Sequence, residues 1–148
     1  MIDRITSGSA PLDVILGGGL PQDAIIMLAG APGSGKTMLG QQWVFANATP
    51  ERPALYLTTA SEPLEKVLRY GQTMSFFDQK AVGRSVYYED LGGALRDHGL
   101  QGVLERLRNL IREQQPMMIV TRYTPTLTAA VASAVSCMTW PACSAPYR

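Results

Sequence analysis

Residues 30–37 read Gly-Ala-Pro-Gly-Ser-Gly-Lys-Thr, and this octad leaves few folds open to the chain. The pattern is G-x-x-x-x-G-K-[ST], whose chemistry needs a strand ahead of it and a helix behind it. Both are legible. Ala24, Ile25, Ile26, Met27, Leu28 and Ala29 form a short apolar run that predicts a buried strand. From Thr37 to Ala48 the sequence predicts a helix, with Met38, Leu39, Trp43, Val44 and Ala46 supplying apolar surface. A glycine-rich turn that matches by chance is the alternative, and the flanking elements argue against it.

Each residue type in the loop has a physical reason. Gly30, Gly33 and Gly35 permit backbone angles and approaches that a side chain would block. A helix N-terminus carries unpaired N–H groups and partial positive charge, so it favours an anion. Lys36 would reach the β- and γ-phosphates, and the Thr37 hydroxyl would ligate Mg²⁺. The expected nucleotide contacts are therefore Gly30, Ala31, Pro32, Gly33, Ser34, Gly35, Lys36, Thr37 and Met38, with Lys36 also a catalytic candidate.

The chain has 148 residues, one domain by length, with 46% hydrophobic and 17% charged residues. A net charge of +1 makes no electrostatic case for nucleic acid or a membrane surface. No apolar run approaches the ~20 residues that span a bilayer. Met1-Ile2-Asp3-Arg4 does not resemble a signal peptide, so a cytoplasmic location is expected. Cys137 and Cys143 lack metal-like companions and form no disulfide framework.

Strand and helix alternate along the chain. Leu12 to Leu16 predicts a short helical turn, stopped by Gly17-Gly18-Gly19 and leading through Leu20-Pro21 toward the first strand. Ala54–Thr58 predicts a second strand and Glu62–Tyr70 a helix, with Glu62/Lys66 and Glu65/Arg69 at i,i+4 spacing. Ser85–Tyr88 predicts a third strand. Leu100–Glu113 predicts a long helix, whose stripe of Leu100, Val103, Leu104, Leu107, Leu110 and Ile111 leaves Arg106, Arg108 and Arg112 on a solvated face. Met117–Val120 predicts a fourth strand. This alternation argues for an α/β fold with a parallel sheet and helices on its faces. His98, the sole histidine, reads as a surface loop residue, and Trp43 as core.

From Ile5 to Glu89 the chain resembles the KaiC-like and RadA-like branch of the RecA superfamily of ATPases. The resemblance rests on Ser7-Gly8-Ser9-Ala10-Pro11-Leu12-Asp13 with Ile15-Leu16-Gly17-Gly18-Gly19-Leu20-Pro21, at the family's distance before the phosphate loop. It implies a RecA-type core, ATP and Mg²⁺ binding, and homo-oligomers with nucleotide at subunit interfaces. ATP hydrolysis is general in the family, whereas autokinase activity is confined to its clock proteins.

Two departures from the family pattern matter. After the second strand such proteins carry adjacent glutamates that activate the attacking water, and here Ala60-Ser61 stand in those places with Glu62 one residue on. Glu62 has two readings: a general base if the turn brings it to the γ-phosphate, or the far half of a Thr59-x-x-Glu62 capping box. The fourth strand should end in an aspartate that holds the metal's water shell, but Thr121 follows Val120.

Beyond Glu113 the chain has no acidic residue, and neither helical nor strand periodicity is sustained. The expected division is a partial nucleotide-binding domain over residues 1–120, holding the N-terminal half of a RecA-type core, and an irregular tail over 121–148. That tail reads either as disordered or as translated out of frame after Val120. The genetic code bears on the choice. When the last base of each codon joins the first two of the next, Met138-Thr139 is forced to give Asp, Trp140-Pro141 is forced to give Ala, and Val120-Thr121 can give the missing Asp. In the other shifted frame Met138-Thr139 forces a stop codon.

Two functions follow. The first is an ATP-binding protein of the KaiC/RecA type whose intact form hydrolyses ATP in an oligomer, with weak or absent turnover in this chain. The second is a nucleotide-dependent signalling or interaction module that binds ATP without productive turnover. A DNA-binding recombinase lacks support in the charge balance.

Overall fold

In the computed structural model, which describes residues 2–59 and 63–122, the architecture turns on one strand. This is β3 (Ala54–Thr58), all five residues of which are buried. It lies between β4 (Val86–Asp90) and β5 (Met118–Thr121), parallel to both, in the order β4-β3-β5. A strand covered on both faces needs a continuous apolar run rather than alternation, and Ala-Leu-Tyr-Leu-Thr supplies it.

Successive β3 side chains serve two helical layers. Leu55 and Leu57 point to the face covered by α4 (Gly92–Gln114), where Val103, Leu107 and Leu110 complete one core with Leu91. Ala54 and Tyr56 point to the face covered by α2 (Lys36–Asn47) and α3 (Leu64–Gly71), packing with Val44, Val67 and Val86. Trp43 is buried as expected. The expected long helix begins eight residues earlier than its periodicity indicates. Two helical pieces join at Gly99, whose φ of 60° and ψ of −154° break the helix and hide the first piece from a 3.6-residue pattern. His98 is thus exposed on a helix beside this kink rather than in a loop.

The N-terminal segment forms a clasp. β1 (Arg4–Ile5) and β2 (Leu20–Pro21) pair antiparallel, with the short α1 (Ala10–Ile15) between them. Asp13 holds it together. Its carboxylate accepts from Thr6 Oγ1 at 2.6 Å and the Ser7 amide at 2.7 Å, while its carbonyl accepts from the Gly18 and Gly19 amides at 2.7 and 3.2 Å. Arg4 Nη1 donates to the carbonyls of Leu16 and Gly19. Gly19 sits at φ +108°, and a Cβ there would stand 2.3 Å from the Ile5 carbonyl oxygen, so only glycine fits. Asn47 Nδ2 donates to the Thr6 carbonyl at 2.8 Å, fastening the clasp to the end of α2.

One expected strand is missing. Ala24–Ala29 has no strand structure, and Ile25, Ile26, Met27 and Leu28 are 79, 40, 71 and 37% exposed instead of buried. A strand exists only with a hydrogen-bonded neighbour, and the chain leaves β2 through a turn, with Asp23 at φ 56°, without meeting one. Two smaller points concern charges. Arg106 is exposed as expected, and it also donates from Nε to Glu89 Oε1 at 2.7 Å, which raises the guanidinium pKa further. Glu65 and Arg69, though correctly spaced, form no ion pair. The Glu62/Lys66 pair lies partly outside the described residues, as do Cys137, Cys143 and the tail from residue 123.

Candidate functional site: the glycine loop and the carboxyl ends of the strands

The fold places the glycine loop at the carboxyl end of the sheet. Gly40 of α2 lies against Val120 and Tyr56, and Val44, one turn later, packs with Ala54 at the amino end of β3. The helix therefore runs antiparallel to the strands, and its first turn points toward Thr58, Asp90 and Thr121. Open α/β sheets present ligand sites at this end.

Within the loop, Gly33 and Gly35 take positive φ, +80° and +86°. Gly35 is the N-cap residue of α2, in the left-handed conformation, and as a glycine it brings no capping side chain of its own to the first turn. Apart from chain neighbours, no heavy atom lies within 4 Å of where a Cβ would stand at either glycine. The loop from Gly30 to Gly35 is exposed, and Lys36, Thr37 and Met38 are half-buried. A helix N-terminus beside open space suits the oxygens of a phosphate group. The residues therefore fit a nucleotide's phosphate chain.

Lys36 turns back over the loop. Its ammonium donates to the carbonyls of Gly30 at 2.8 Å and Ala31 at 2.7 Å, with Ser34 Oγ at 3.4 Å. These contacts put the cation where an anion entering the loop would meet it. Phosphate oxygens are stronger acceptors than neutral carbonyls.

Among the described residues the expected acidic partners are not assembled. Glu62 lies outside the described residues. Of the carboxylates that reach this end of the sheet, Glu89 is held by Arg106, and Asp90 accepts the Gly92 amide at 2.8 Å, capping α4. Thr121 ends β5 where a metal-holding aspartate was expected. Among the described residues no three His, Cys, Asp or Glu side chains form a metal-binding group. A divalent ion would be held through Thr37 and the nucleotide's own oxygens.

Sequence reasoning missed what supports the loop from beneath. Gln41, fully buried on α2, accepts a hydrogen bond from Tyr88 of β4 at 2.9 Å and donates to the Val67 carbonyl of α3 at 3.4 Å. Burial pushes the Tyr88 phenol above its ordinary range, and neighbouring Tyr56 adds to the shift. The available signal was position: Gln41 is three residues before Val44, on the face that the apolar stripe assigns to the core.

A family model described as "ATPase: KaiC" matches residues 5–126. A UPF0273 protein of Thermotoga maritima is 26% identical over 140 residues, covering 86% of this chain and 58% of that protein. A UPF0273 protein of Pyrococcus horikoshii is 26% identical over 142 residues, covering 86% of this chain and 57% of its own length. The DNA repair protein RadA of Pseudomonas aeruginosa is 35% identical over 77 residues, 52% of this chain and 17% of RadA. The chain thus spans a little over half the length of the two UPF0273 relatives.

Proposed function

Because the chain belongs to the KaiC family of ATPases, we propose that it binds ATP, with its phosphates cradled by Gly30–Met38 and its Mg²⁺ touched by Thr37. The observation that carries this reading is the N-terminus of α2 behind two positive-φ glycines, with open space around them. Lys36 exchanges its two loop carbonyls for phosphate oxygens, and the amides of the first turn orient the β-phosphate. Mg²⁺, when bound, neutralises phosphate charge and polarises the bond to the γ-phosphate. The intact protein works in the cytoplasm as an oligomeric ATPase.

A second reading has its own support. Ala60-Ser61 replace a glutamate pair, Thr121 replaces an aspartate, and Glu89 and Asp90 are both engaged elsewhere. On this reading the chain binds ATP and passes its bound state to a partner without turning it over.

Calorimetric titration with Mg·ATP tests binding. The expected result is binding that Lys36→Ala weakens at least tenfold, and no binding by the unaltered chain would sink the proposal. Phosphate release then separates the readings. Turnover lost in Glu62→Gln marks a catalytic base, turnover kept rules that role out, and binding with no turnover favours the second reading.

A further inference from the structure

Gln41 joins the helix that opens on the glycine loop to the helix beside it. We propose that it is a positioning residue that ties α3 to α2, so that a nucleoside triphosphate held at the loop stabilises α3 against opening. This inference rests on the nucleotide-binding reading above and names the route by which a bound state leaves the site.

The side chain is held from three elements. A backbone carbonyl only accepts, so the Gln41 carboxamide nitrogen faces Val67 of α3, at 3.4 Å, and its oxygen is left for the Tyr88 hydroxyl of β4, at 2.9 Å. Gly71 of α3 makes the room. A Cβ there would stand 2.6 Å from Gln41 Oε1 and 3.1 Å from the Phe77 ring, so a larger residue would push the carboxamide off its partners. On its own helix, the same nitrogen lies 3.9 Å from the sulfur of Met38, in the first turn. Gln41 is fully buried, and a buried amide is costly unless its bonds are made, so these partners hold it in one arrangement. Gly40 seats the same stretch of α2 on the sheet, with its Cβ position only 3.2 Å from the Val120 side chain.

The link has one end near the phosphates and the other inside the ladder of α3. Gln41 stands one turn along α2 from Thr37, on the same face. In this structure the Lys36 ammonium lies on the Gly30 and Ala31 carbonyls. With phosphate it takes phosphate oxygens instead, the amides of the first turn gain a fixed acceptor, and that turn loses freedom. At the far end, the Val67 carbonyl that receives Gln41 also faces the Gly71 amide one turn on in α3. An opening of α3 that breaks this turn must therefore break the Gln41 bond and loosen the helix that phosphate has fixed. A ligand that favours the closed arrangement lowers the population of the open one.

Hydrogen exchange with and without saturating Mg·ATP, beside the calorimetric titration, tests the link. In the unaltered chain nucleotide should slow exchange in the first turn of α2 and should slow the amides of residues 68–72 about fivefold or more. Gln41→Leu should keep the slowing in α2 and lose it at 68–72. Gly71→Ala displaces the carboxamide from the other side and should do the same, which keeps the test decisive if Gln41→Leu does not fold. Tyr88→Phe is the control for a merely structural role. It loosens the same buried group but leaves the Val67 bond, so nucleotide should still protect 68–72. Binding without added protection there overturns the link and leaves the nucleotide reading intact. Protection unchanged in Gln41→Leu or Gly71→Ala, or lost equally in Tyr88→Phe, does the same. No nucleotide binding by the unaltered chain overturns both.

Discussion

Tyr88→Phe is the sharpest probe of how the layer beneath the loop is held. It deletes one oxygen and changes little in shape, yet leaves Gln41 Oε1 without its 2.9 Å donor in a fully buried residue. Orphaning a buried acceptor costs about 1–3 kcal/mol. Gln41→Leu alone leaves the Tyr88 hydroxyl and the Val67 carbonyl without their amide partner and should cost a similar amount. The double variant removes both ends of the principal bond. The lost donor to Val67, already long at 3.4 Å, then remains the main polar deficit. The double variant should therefore cost at least about 1 kcal/mol less than the sum of the single variants. Urea denaturation of the four proteins measures this coupling. Strictly additive losses would refute the argument, because they would mean the bond contributes nothing specific to the packing of α2 on β4.

Further outcomes follow from the clasp and the tail. Gly19→Ala places a methyl against the Ile5 carbonyl at positive φ and should cost roughly 2–4 kcal/mol in a urea melt, against near neutrality for an alanine at the exposed Gly93. The Ser7 and Thr6 hydroxyls, with the Ser7 amide, hold the Asp13 carboxyl below the usual carboxylate range. Its contribution is present above the unfolded carboxylate pKa and fades as pH falls through the lower folded value. Asp13→Asn should flatten that acid limb of the stability–pH curve, and an unchanged limb would contradict the assignment. For residues beyond Val120, we propose out-of-frame translation. The coding DNA read in the shifted frame should give Asp after Val120 and stay open well past codon 148, and an early stop there would refute it.

Local sequence made several elements legible. β3 is five consecutive core residues between turn-forming segments, and α2 follows a glycine loop whose chemistry demands a helix. Both signals are short-range. The Asp13 and Gly17–Gly19 signature was recognisable as a pattern, but its work as a clasp was not. Asp13 acts on Thr6 and Ser7 behind it and Gly18 and Gly19 ahead of it, and spacing alone does not state those bonds.

By itself the sequence determined that a glycine loop opens α2 and that an α/β sheet stands behind it. Tertiary structure alone decided the rest. It drew Arg106 onto Glu89, buried Gln41 against Tyr88, and left Ile25–Leu28 facing water. The reason is range. Propensity and period act within a few residues, whereas ion pairs, buried hydrogen bonds and strand ladders join residues that only the completed packing brings together.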